Sequence, residues 1–163
     1  MFRTIAPPWI QPWYEDHDAA YSTLRKVRGE LAPHGIFVGS LRGDRMRNRK
    51  GVFDQFSTLL QFPRHFGENW NAFVDCMQDL DLLHSCGFLI VVLDAMDVLV
   101  DGDEDEYRLL CKVLSEAGES WAQTTSLRSA LPFRVVLHET QERAMGLSGR
   151  LGPRLANVPR LQM

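Results

Sequence analysis

The sequence predicts a layered α/β domain with parallel strands. Three runs rich in strand formers, at 36–41, Phe88–Leu93 and 133–138, are separated by segments whose apolar residues recur at spacings of three and four. Helical crossovers between strands imply parallel pairing and at least two layers. The unbroken run Phe-Leu-Ile-Val-Val-Leu reads as a central strand covered on both faces.

Taken in order, Ala6-Pro7-Pro8-Trp9-Ile10-Gln11-Pro12-Trp13 is expected to be extended on the surface, since proline lacks an amide donor and restricts its predecessor. Asp16 or Asp18 caps a helix to residue 31, with Tyr21, Leu24, Val27 and Leu31 on one side and Pro33-His34-Gly35 ending it. After the strand at 36–41, Arg42 to Gly51 is a basic loop. A helix over 52–60 puts Val52, Phe53, Phe56, Leu59 and Leu60 on one apolar face, and Phe62-Pro63 stops it. The next helix, over 69–80, buries Trp70, Phe73, Cys76, Met77 and Leu80 and turns Asn71, Asp75 and Asp79 to its other side. An acidic loop at 94–106 leads into a helix with Leu109, Leu110, Val113 and Leu114. Residues 121–131 are helical or irregular, 133–138 form the last strand, and the glycine- and proline-rich stretch from Gly146 is expected to be flexible.

At 163 residues, the chain is long enough to bury a core without disulfides or metals. Its net charge of −3 conceals an uneven distribution: +3 over residues 1–60, −10 over 61–120 and +4 over the last 43. Such asymmetry bears on partners rather than on fold, and it points to a basic partner rather than to nucleic acid. Cys76, Cys86 and Cys111 stand in no CxxC or Cys/His ligand spacing, so reduced packing thiols are expected and no metal site or cofactor. The N-terminus has no signal-type apolar run, and no stretch approaches the roughly 20 apolar residues of a membrane span, which makes a cytoplasmic location the default expectation.

No catalytic constellation stands out. In Asp101-Gly-Asp-Glu-Asp-Glu106 the calcium-loop glycine is Glu106, and its closing glutamate would be Lys112. The five histidines are scattered, serine lacks the nucleophile-elbow setting, and there is no glycine-rich phosphate loop. A thiol hydrolase using Cys76, with His65 or His84 as base, is the enzymatic alternative; the apolar stripe around Cys76 favours inert packing. The Arg42-Gly43-Asp44 triplet is read as chance. Many carboxylates without a catalytic arrangement favour binding, and no enzymatic activity is expected.

The segment Phe62-Pro63-Arg64-His65-Phe66-Gly67-Glu68-Asn69-Trp70-Asn71-Ala72-Phe73-Val74-Asp75-Cys76 resembles the barstar family of intracellular ribonuclease inhibitors. The likeness lies in the proline before an aromatic, the Phe-Gly-Glu-Asn-Trp turn and the helix start that follows. It extends more weakly over about residues 35–140. It implies a three-stranded parallel sheet packed by helices, with an acidic helix and loop that plug the active site of a basic ribonuclease. It aligns Asp75 with the family's principal carboxylate, His65 with a tyrosine, Asn71 with an aspartate, Val74 with a tryptophan, Gly67 with a backbone contact and Glu116 with a peripheral acid. Glu68 and Asp79 join these on the expected partner surface. Residues also have structural alternatives: Gly67 supplies a positive φ, Asn69 caps the helix, and Trp70 belongs to the core.

The expected organisation is an N-terminal extension with one helix over 1–34, a barstar-like domain over 35–142 and a flexible basic tail over 143–163. The expected function is inhibition of a basic ribonuclease or related cationic toxin, as an immunity or antidote protein, by a chain that is monomeric or weakly self-associating when free. The alternative is the same scaffold bound to another cationic partner, or self-associated through Arg150, Arg154 and Arg160.

Overall fold

The structure, a computed structural model, describes residues 5–156. Four parallel strands form one sheet: β1 (Ile10–Tyr14), β2 (Phe37–Arg42), β3 (Phe88–Leu93) and β4 (Phe133–Glu139), in the spatial order β1-β4-β3-β2. Helix α1 (His17–Leu31) connects the two edges. Helices α2 (Arg49–Leu60) and α3 (Trp70–Gln78) link β2 to β3, α4 (Glu104–Trp121) links β3 to β4, and α5 (Ala144–Ala156) follows β4. The α/β class and parallel pairing are therefore as expected, with four strands in place of three.

The fourth strand is the proline-rich segment. It is extended, but it pairs with β4 from Ile10 against Val135 to Tyr14 against Glu139, and Trp9, Ile10 and Trp13 are buried. Proline is tolerated because β1 is an edge strand, where alternate amides face away from the neighbour. Gly118 on α4 admits the Trp9 ring, since a Cβ there would lie 2.5 Å from the indole Cγ.

Alternation in β3 divides the core in two. Phe88, Ile90 and Val92 join Phe53, Phe56, Phe73, Met77, Leu110, Leu114 and Trp121 under α2 to α4. Leu89, Val91 and Leu93 instead meet Trp13, Ala20, Leu24 and Val136, beneath α1. Residues expected to form an appended extension thus supply an edge strand and the buried side chains of the second layer.

The expected flexible tail is also corrected across its first part. In α5, Leu147 and Leu151 are buried, and the helix is interrupted at Gly152, whose φ is 71°. Arg150 stacks 3.8 Å over the Tyr107 ring, donates to the Met96 and Val98 carbonyls, and bridges Glu104. Glycine and proline lowered the helical signal, but two leucines spaced by four, with an arginine anchor, hold the helix down. Residues 157–163 lie outside the described residues.

Leu24 is the natural probe of the second layer. Leu24→Ala is expected to cost about 2–5 kcal/mol in chemical denaturation, the range for a buried leucine. A loss within about 0.5 kcal/mol, that of an ordinary surface change, would show the α1 layer to be dispensable.

Candidate protein-binding site

The turn between α2 and α3 is shaped by aromatic packing and one asparagine. Gln61 ends α2 in the left-handed region (φ 54°), and the Phe66 amide donates to the Pro63 carbonyl at 2.9 Å. Phe62 and Phe66 contact each other edge to face. Phe66 and Trp70 both contact Phe53, and Trp70 also meets Phe73. Asn69 Oδ1 caps α3 by accepting from the Ala72 amide (3.0 Å), while its Nδ2 donates to the Gly67 carbonyl (3.1 Å). The positive φ of this turn falls on Glu68, at 45°, and not on Gly67. Gly67 serves close approach instead: a Cβ there would lie 2.9 Å from Asn69 Nδ2.

On this support His65, Gly67, Glu68, Asn71 and Asp75 are exposed and contiguous along the turn and the first turns of α3. Asn71 and Asp75, four apart on the helix, share one face. Asp79 is exposed as well, but α3 ends at Gln78 rather than residue 80, and Asp79 has left helical geometry (φ −129°, ψ 83°). Val74 is half-buried against the core, and Trp70 is half-buried among phenylalanines. Glu116 stands apart on α4, 3.7 Å from Lys112. Burial, followed by the charges of Asp75 and Asp79, pushes the Cys76 thiol up, opposite to what a thiolate nucleophile requires.

The acidic middle of the chain is sorted by ion pairing. Of its thirteen carboxylates, seven are taken up: Asp94 by His17, Asp97 by Arg143, Asp101 by Arg47, Glu104 by Arg150, Asp105 by Arg108, Glu106 by Arg49 and Glu116 by Lys112. The Arg47 guanidinium holds the Asp101 carboxyl below its ordinary range. Glu68, Asp75, Asp79 and Asp81 make no ion pair among the described residues; Lys50, which feels the charge of Glu68, bonds to Asp54. Of the six left over, these four lie on the turn, α3 and the short 3-10 turn after it, while Asp103 caps α4 and Glu119 lies near its end. Sequence spacing reveals the local pairs Lys112–Glu116 and Lys50–Asp54, but not the long-range ones that decide this sorting.

The carboxyl end of the parallel sheet, where α/β folds commonly bind ligands, is bridged by backbone contacts between its loops. The Leu99 and Asp101 amides donate to the Met46 and Arg47 carbonyls at 2.8 and 2.9 Å. A Cβ at Gly43 would lie 2.0 Å from the Asp94 carbonyl oxygen. At the start of α2 the Gly51 amide is already bound by Asn48 Oδ1 (2.9 Å).

The family described as Barstar (barnase inhibitor) matches this chain over residues 36–138. The chain belongs to the barstar family. The matched segment runs from the residue before β2 to the penultimate residue of β4, so this barstar-family protein carries β1, α1 and α5 outside it. No curated protein matches the chain. Among solved structures it is similar to the Aeropyrum pernix ORC2 protein in its ADPNP-ADP complexes (12% identity, TM-score 0.59) and in its ADP form (9%, 0.62). It is covered over 90% and 94% of its own length and spans only 38% and 41% of those chains. That likeness is one of fold. No helix among the described residues is long and apolar enough to cross a membrane.

The cap and the acidic face separate experimentally. Asn69→Ala is expected to cost about 1 kcal/mol in urea denaturation, whereas Asp75→Ala stays within about 0.5 kcal/mol. Equal losses would mean that Asp75 is structural.

Proposed function

We propose that this barstar-family chain inhibits a basic ribonuclease by seating the turn from His65 to Glu68 and the exposed face of α3 in the enzyme's active-site cleft. The observation that carries this reading is the concentration of Glu68, Asp75, Asp79 and Asp81, without an ion pair among the described residues, on and just beyond the barstar-like segment Phe62–Cys76. A ribonuclease cleft presents cationic groups placed for phosphates, and carboxylates at matching positions replace those phosphates with charge-assisted hydrogen bonds. An acidic surface also accelerates encounter with a basic enzyme and repels nucleic acid. An immunity or antidote role in the cytoplasm is the setting this reading supplies.

Asn71, His65 and Val74 adapt the face. The first removes one carboxylate from it, and Val74 turns partly into the core. These departures support the second reading, in which the scaffold captures a different cationic protein. Self-association through the basic end has less support, because Arg150 is engaged within the chain. The side chains of Arg154 and Arg160 lie outside those described.

Titration calorimetry and activity assays with barnase and other small basic ribonucleases test the proposal. The wild-type chain is expected to bind and inhibit at least one of them. Asp75→Ala is expected to weaken that complex by about 2–5 kcal/mol, as truncating one partner of a desolvated charge pair does, with unchanged denaturation behaviour. Asn71→Asp is expected to raise the association rate at low salt. Absence of binding throughout, or full inhibition by the Asp75 variant, would overturn the reading.

A further inference from the structure

The first residue of α1, outside the family-matched segment, reaches across the sheet to a residue inside it. His17 Nε2 donates to Asp94 Oδ1 at 2.5 Å. Asp94 directly follows β3, two strand positions from β1 in the order β1-β4-β3, so the contact spans the end of β4, roughly 10 Å at the usual strand spacing. The acceptor is firmly placed. Asp94 sits in the left-handed region (φ 54°), with the Gly43 backbone packed against its carbonyl.

Beneath the contact lies the His138 ring, 5.8 Å from that of His17 and fully buried, with Nε2 donating to the Glu15 carbonyl (2.8 Å). Its neighbour Glu139 is also fully buried, accepting from the Met96 and Thr140 amides at 3.1 and 2.9 Å and lying 3.5 Å from Arg143. The other charges acting here are Asp18 on α1, and Arg42 on β2 and Arg143 after β4, which are paired with Asp44 and Asp97 and also feel the Asp94 charge. Carboxylates therefore surround His17 on its own helix, at the end of β3 and on β4.

We propose that His17 and Asp94 form a protonation-controlled clasp holding the β1–α1 layer against the rest of the domain, tighter when His17 is cationic. The hydrogen bond to Asp94 is the largest influence on His17 and raises its pKa above the ordinary value, against a smaller desolvation effect. The sign follows. A histidine whose folded-state pKa is raised contributes its full stabilisation below the unfolded-state value of about 6.5, and that contribution is lost as pH rises through the higher folded value. The layer so controlled includes the helix that covers the second face of β3, outside the family-matched residues.

Imidazole NMR titration and amide hydrogen exchange, corrected for intrinsic rates, test the clasp on the full chain. His17 is expected to titrate above about 6.5 in the wild type and lower in Asp94→Asn, a change that the left-handed backbone tolerates. Opening of β1 and the first turns of α1 is expected to increase about 1.5- to 5-fold between about pH 5.5 and about pH 8.5, the span of an exposed ion pair. His17→Gln should remove that pH dependence, leaving β3 amides unaffected. Titration of wild-type His17 at or below the ordinary value would overturn the proposal. So would the same pH-dependent opening in His17→Gln, the variant that decides the matter should Asp94→Asn not fold.

Discussion

Strand β3 is buried along its whole length, and a parallel sheet with such a strand needs a layer of side chains on each face. Much of the architecture follows from this constraint. The crossovers through α2–α3 and α4 carry the chain step by step from β2 to β4 and place their helices on one face. The other face falls to α1, which crosses between the sheet's two edges. The strand that leads into α1, β1, pairs with β4 and itself forms one edge of the sheet.

Charge is arranged with comparable economy. Arginines before and after the acidic middle pair with the loops at the carboxyl end of the sheet, joining segments far apart in sequence. Each exposed pair contributes little stability by itself. Their consequence lies in what they leave over: carboxylates on the turn and around α3, carried by an aromatic platform and an asparagine cap that hold the backbone of the face in place. A preorganised charged surface loses less ordering entropy on binding than a flexible one, which suits the proposed role as an inhibitor.

Much of this was legible in the sequence for identifiable reasons. Runs of strand formers located β2 to β4, and apolar residues recurring at three and four located α1 to α4, because both signals mark surfaces that the core buries. The family-like segment from Phe62 to Cys76 located the acidic helix, because its turn chemistry is distinctive. The fourth strand was not legible, since prolines mask strand character and an edge position is a tertiary fact. Helix α5 was masked by Gly146, Gly149 and Gly152, and its anchor, Arg150, shows itself only beside Tyr107 and Glu104. The helical spacing of Asn71 and Asp75 was legible, and the structure exposes both on one face of α3; the Glu116–Lys112 pair lies on α4, and the positive φ considered for Gly67 is adopted by Glu68.

The proposed function places the partner on the turn and α3, and not on the carboxyl end of the sheet. Amide chemical-shift mapping of the isotopically labelled chain, titrated with barnase and other small basic ribonucleases, tests it most directly. Perturbations confined to residues 65–81 are expected, with the loops at 42–48 and 94–104 unmoved. Shifts centred on those loops, or none with any such enzyme, would contradict the account.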